Sequence, residues 1–174
     1  MSFRVTFVHA VDQSVARMQM FGIHFMPVWA YTLAAHLSEL PDLELRLDDL
    51  RVGELEPEGS PSDVYLFTGI NQDYEAIMRE AKRYRERAPK AKIVLGGPIC
   101  WSYETAGRID KLEWFDHLFV GDGEETLPAF LRDLRAGKTL PKIIRAPGRF
   151  NLEKAKPMHD GLLRATVGRY YGGV

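Results

Sequence analysis

One cysteine, Cys100, occurs in 174 residues. It leaves no internal disulfide, no cysteine-built zinc site and no iron-sulfur cluster held by several thiolates of this chain. An excess of one charge is missing too, because 23 Lys and Arg stand against 24 Asp and Glu and the two signs are interspersed. That removes the electrostatic footprint of a dedicated nucleic-acid binder. No apolar stretch follows a basic start at "MSFRVTFVHAVDQ", and no run approaches the length that crosses a bilayer. The expectation is a cytoplasmic protein with no membrane span. Internal repeats and low-complexity tracts are also lacking.

What is present is a core. Hydrophobic residues make up 45% of the chain, enough for one sizeable domain. Five apolar runs of strand length, at residues 3–10, 43–50, 63–70, 92–97 and 117–122, alternate with stretches of helical spacing. The helical stretches are residues 27–40, with Trp29, Leu33 and Leu37 on one stripe; residues 72–88, with Tyr74, Ile77, Met78, Ala81 and Tyr84; a weaker one from Ser102 to about Lys111; and Glu124 to Arg135, with Leu127, Phe130, Leu131 and Leu134. Gly137 follows the last as a stop signal. The pattern predicts an α/β fold: a doubly wound, Rossmann-like (flavodoxin-like) five-stranded parallel sheet with helices on both faces. Eight βα units of a barrel would not fit this length. Residues 1–140 form the expected domain, and 141–174 a short edge strand at Lys142 to Arg145 followed by a linker, since residues 151–174 show no convincing period.

In an open parallel sheet the ligand crevice lies beyond the carboxyl ends of the strands. Here three strand ends are rich in glycine or small polar residues: Thr68-Gly69-Ile70, Gly96-Gly97-Pro98 and Gly121-Asp122-Gly123-Glu124-Glu125-Thr126. Any one glycine is an ordinary turn; several on one edge point to a binding site. The connection after the first strand is about sixteen residues long and has one glycine, Gly22, so a dinucleotide or P-loop phosphate cradle is disfavoured. Met18, Met20, Phe21, Phe25 and Met26 crowd that connection. They read either as residues folded back on the core or as a wall for a large, flat, partly apolar ligand.

In order and spacing, "DVYLFTGIN", "KIVLGGP" and "HLFVGDGEETLPAFL" resemble the N-terminal cobalamin-binding domain of cobalamin-dependent radical S-adenosylmethionine enzymes, over roughly residues 3 to 136. The resemblance implies a corrin ring over the carboxyl strand ends and a nucleotide tail in a groove beside the sheet. Thr68, Gly69 and Ile70 would meet the tail, Gly96, Gly97 and Pro98 would lie against it, and Gly121, Asp122, Gly123, Glu124 and Thr126 would sit near the tail and ring edge. It also implies that a side chain at Gly96 or Gly97 would fill the volume of the tail. Where other cobalamin domains carry Asp-x-His-x-x-Gly, this chain has Asp12-Gln13-Ser14-Val15-Ala16-Arg17. Serine is no ordinary cobalt ligand, so no protein metal ligand is assigned, and Asp12, Gln13 and Ser14 remain as cofactor-binding candidates. His24 and Arg17 read first as structural or surface residues.

The radical enzymes need Cys-x-x-x-Cys-x-x-Cys for a [4Fe-4S] cluster, and that motif is not in this sequence. The expectation is therefore a non-catalytic N-terminal part of a longer enzyme that binds cobalamin. Its partner would be a C-terminal radical domain carrying S-adenosylmethionine and the cluster. The alternative is a cofactor-free docking or substrate-access domain of the same fold; flavin binding is a third reading, weakened by the missing phosphate loop. Cys100 reads as a small buried hydrophobe, and Trp101 lies near the proposed pocket. Asp116, His117 and the Glu124-Glu125 pair carry little acid-base weight, the acids being explained by a helix N-terminus.

Overall fold

The structure is a computed structural model, and it describes residues 2–12, 26–52 and 61–170. Six parallel strands form one sheet in the order β2-β1-β3-β4-β5-β6. They are β1 (Phe3–His9), β2 (Leu43–Asp49), β3 (Val64–Thr68), β4 (Lys92–Gly96), β5 (His117–Val120) and β6 (Ile143–Arg145). The sheet thus has one strand more than the five expected. The sixth is the stretch anticipated as an edge strand, pairing with β5 in parallel from Leu118↔Ile143 to Val120↔Arg145.

Helices α1 (Val28–Leu37), α2 (Tyr74–Arg87), α3 (Pro98–Thr105), α4 (Thr126–Arg135) and α5 (Asp160–Thr166) cover both faces. Side chains alternate along each strand, so one face takes Val5, Phe7, Leu66, Val94 and Phe119 under α1, α4 and α5. The other takes Val8, Phe67, Leu95, Leu118 and Val120 under α2 and α3. Among the described residues no helix is long and apolar enough to cross a membrane.

Strand order and helix placement fix the hand of each crossover. The β3-α2-β4 and β4-α3-β5 units move across the sheet with their helices on one face. The β5-α4-β6 unit moves the same way with its helix on the opposite face, and so has the opposite hand. Such a connection is rare between full strands. Here the strand it delivers is three residues long, and the gain is the burial of Leu127, Phe130 and Leu131 beside α1.

Two expectations are corrected. The helix anticipated from Ser102 to Lys111 begins earlier, at Pro98, and ends at Thr105; a 3-10 turn follows at Ile109–Leu112. Proline supplies no amide hydrogen and is at home in a first turn, so "GGP" is a helix start as much as a strand end. The stretch from Asn151 onward, expected as a linker, packs on the domain over its described part. Leu162 is 3% exposed, His159 N donates to Tyr31 O (3.1 Å), Tyr31 Oη and Thr166 Oγ1 share a buried hydrogen bond (2.8 Å), and Tyr170 Oη donates to Asp49 Oδ2 (2.9 Å).

Candidate functional site

The carboxyl edge is organised first by one carboxylate. Asp73, in the 3-10 turn after β3, accepts the amide of Asp12 on Oδ1 (3.2 Å) and that of Ile70 on Oδ2 (3.0 Å). It thereby closes the gap between the ends of β1 and β3, the point where the strand order reverses. The Asp12 and Ile70 amides at this point are thus taken by an internal anion. Gly69 permits this arrangement, because a Cβ on it would stand 2.6 Å from Ile77 Cδ1 and 3.0 Å from Asp73 Oδ2.

The open space lies one strand further along, on the other face. A cleft of about 350 Å³ runs between α1 and α4 over the ends of β3, β4 and β5, within the range of roughly 300–1,000 Å³ typical of small-molecule sites. Leu66, Val94 and Phe119 form its floor, Trp29, Thr32 and Leu33 one wall, and Leu127 the other. Of the residues expected from sequence, Thr68, Gly96, Gly97, Pro98, Gly121, Asp122, Gly123 and Glu124 line it. Asp12, Gly69, Ile70 and Thr126 are not among its lining residues. Gln13, Ser14, Arg17 and His24 lie outside the described residues.

The walls themselves explain the glycines. Gly97 has φ +82° and ψ −167°, a conformation essentially reserved to glycine. A Cβ there would overlap Thr68 Oγ1, and one on Gly96 would meet Phe119 Cβ at 3.3 Å. A Cβ at Gly97 thus meets protein, whereas one at Gly96 makes a tight contact to which Phe119 has to yield by a few tenths of an ångström; both glycines also line the cleft. Gly123 likewise brings its chain against α1, where a Cβ would stand 3.0 Å from Leu33 Cδ2.

At the mouth the acids divide. Asp122 Oδ2 accepts the Phe150 amide (2.6 Å), and Asp122 O accepts from Thr126 Oγ1 (3.0 Å). Glu125 pairs with Lys154 (2.9 Å). Both acids therefore tie the C-terminal segment to the β5-α4 loop. Glu124 lines the cleft, and its charge acts to raise the pKa of His36. Burial outweighs that influence, so the His36 imidazole titrates below its ordinary value. Beside the cleft, Trp29 Nε1 and His9 Nδ1 are buried with no hydrogen-bond partner among the described residues. Burial, helped by the Arg51 charge, lowers the His9 pKa as well.

The remaining candidates have structural work. The Cys100 thiol is buried, donates to Leu95 O (3.4 Å) and is pushed up to about 12 by burial, so it is neither thiolate nor ligand at neutral pH. Asp116 accepts the Ile93 amide (2.7 Å) and pairs with Arg85. His117 Nδ1 bonds Pro141 O (2.9 Å). Trp101 is 61% exposed on α3, outside the cleft lining.

Sequence reasoning missed the apolar part of the cleft. Leu66, Val94 and Phe119 each stand two residues before Thr68, Gly96 and Gly121. The period of two puts each pair on one face, and that was the available signal.

No family model matches the chain, and no curated protein matches it. Among solved structures it is similar to the N-terminal domain of a hypothetical protein from Thermotoga maritima, at 24% identity and a TM-score of 0.43. The match covers 74% of this chain and 100% of that one. A likeness of that size carries no argument about function.

Proposed function

We propose that this protein is a Rossmann-like cobalamin-binding module, holding the nucleotide tail of the cofactor in the cleft between α1 and α4. The observation that carries the reading is convergence: the three sequence elements that resemble the radical-enzyme cobalamin domains meet at one apolar cleft on the carboxyl edge, through Thr68, Gly96-Gly97 and Gly121 to Glu124. These residues fit the group. The floor is apolar, as a heteroaromatic base requires, and the polar groups stand at the rim, as a cofactor reaching out over the strand ends requires.

The cofactor would supply the cobalt chemistry, and the chain's own residues bind and orient it. A separate radical S-adenosylmethionine domain would be the partner that uses it. Flavin is the weaker reading, since Asp73 already occupies the amides at the β1/β3 gap.

The test is retention. Incubation with hydroxocobalamin, desalting and an absorption spectrum should leave a corrin band at close to one equivalent, and Leu66→Trp, which fills the floor, should abolish it. A colourless wild-type protein would remove the proposal and leave the cofactor-free docking module.

A further inference from the structure

We propose that the β2 edge of the sheet is a self-recognition surface, on which two copies of this chain pair β2 with β2 antiparallel about a two-fold axis at Leu45 and join their sheets.

The two edges of the sheet differ. β6 is three residues long and lies between Pro141 and Pro147, short and proline-flanked as edges protected against pairing are. β2 is seven residues long with no proline in it, and among the described residues it pairs with β1 alone. A groove of about 220 Å³ separates it from α5, lined by Leu40, Leu43 and Leu45 on one side and by Gly161 and Ala165 on the other. The helix therefore does not seal the amino half of the strand.

The backbone decides which residues can pair. Along a strand, alternate residues turn both amide and carbonyl toward the same neighbour. Asp42 O accepts from Phe3 N (2.9 Å) and Leu50 N donates to His9 O (3.2 Å), which assigns the even positions of β2 to β1. The amides and carbonyls of Leu43, Leu45 and Leu47 point outward. An antiparallel neighbour bonds such residues in reciprocal pairs. An axis at Leu45 sets Leu45 against its own copy and Leu43 against Leu47, all of them outward residues.

The side chains make this register self-complementary. In "LELRL" (43 to 47) the two positions flanking Leu45 carry opposite charges. About that axis Glu44 of each copy stands opposite Arg46 of the other, in non-hydrogen-bonded pairs whose Cα atoms approach to about 4.5 Å. Two opposite-charge cross-strand contacts result. Within one chain Glu44 is already held at the edge, since Arg4 Nε donates to its Oε2 (2.8 Å) and Arg46 Nε to its Oε1 (2.9 Å). Both Glu44 and Arg46 keep about a third of their side chains exposed, 37% and 31%. Other axes fit less well. At Leu43 the axis would set Glu44 opposite Asp42, a like charge, and at Leu47 it would set Arg46 opposite Asp48, whose carboxylate is buried against Tyr84 (2.6 Å). Charged residues usually guard an edge strand; this pair is one that a second copy satisfies, as a two-fold contact requires.

The experiment is sedimentation velocity on the full chain at concentrations up to about 100 μM. Wild type is expected to dimerise. Arg46→Glu and Glu44→Arg, each alone, set like charges opposite one another and should weaken the dimer about tenfold. Mixed in equal amounts they restore both opposite-charge pairs across the axis, so the mixture should dimerise within about threefold of wild type. Melting curves check that each variant is folded, and recovery on mixing is not available to a misfolded one. Leu45→Pro removes an outward amide and no bond to β1, as prolines on edge strands do, and it should be monomeric. A monomeric wild type at the highest concentration overturns the proposal and leaves the edge to a strand of another protein. A dimer that survives Leu45→Pro, or single variants that mixing does not rescue, places the contact elsewhere and overturns it as well.

Discussion

Replacing Gly97 with alanine tests whether the glycine pair is there for the protein or for a ligand. At φ +82° and ψ −167° an alanine carries backbone strain of about 1–3 kcal/mol. Its Cβ would also overlap Thr68 Oγ1, and relieving that contact should add about 1–3 kcal/mol, the usual cost of overpacking. Gly97→Ala is thus expected to cost about 2–6 kcal/mol of a stability of about 5–15 kcal/mol. Removing the hydroxymethyl contact isolates one of the two causes. In a Thr68→Ala background the same change should cost only the strain, about 1–3 kcal/mol. Gly96→Ala is the control, since its Cβ would meet Phe119 Cβ at 3.3 Å and its φ is ordinary; about 1.5 kcal/mol or less is expected. Urea denaturation of the four ligand-free proteins and the double variant gives the numbers. A Gly97→Ala protein within about 1 kcal/mol of wild type, or a cost unchanged by Thr68→Ala, would refute the packing account and restore a ligand as the reason for the glycines.

Further outcomes follow from the described contacts. Leu162→Ala should cost about 2–4 kcal/mol by equilibrium unfolding, because that side chain is 3% exposed under α5; a loss below about 0.5 kcal/mol would make residues 151–170 the linker that their sequence suggests. Cys100, buried with its thiol pushed up to about 12, should resist a water-soluble thiol reagent in the native state and react only at the rate of unfolding, so rapid native labelling would contradict its placement. The folded pKa of His9 is lowered, so the unfolded chain binds its proton first as pH falls below 6.5. Stability should therefore decline from pH 6.5 down toward the folded pKa, and His9→Asn should flatten that part of the profile. The Asp49 carboxyl behaves in the other sense of pH. Burial alone would raise its pKa, but Arg51 outweighs burial and holds it below 3.8, so its contribution is present above that value and fades as pH falls through the folded pKa.

The strands and the long helices were legible because their signals are local. The apolar runs of strand length at residues 3–10 and 63–70, and the 3.6-residue stripe of residues 72–88, are written in consecutive side chains. Other features depended on partners distant in sequence. Residues 160–166 carry only Leu162 and Leu163 as large apolar groups, too few to show a period, and their helix is held by Tyr31, more than a hundred residues away, through Thr166. The three residues of β6 were anticipated as an edge strand at Lys142 to Arg145, and their pairing with β5 and the burial of α4 hold them. Asp73 reads in sequence as an ordinary acid at a helix start, yet it bridges two strand ends through amides that no pattern displays.

The candidate site divides in the same way, and the division bears on what its glycines mean. The strand-end motifs named eight of the residues that line the cleft. They could not say whether the missing Cβ atoms face a ligand or a neighbouring wall, because that depends on Thr68, Phe119 and Leu33 being within a few ångströms. Gly97 lets β4 turn into α3 against Thr68, and Gly123 lets the β5-α4 loop close on α1. The cleft is the space left where those close approaches stop, floored by Leu66, Val94 and Phe119. A ligand there would meet side-chain size along the floor, with the glycines serving both as cleft lining and as the means by which the walls come together.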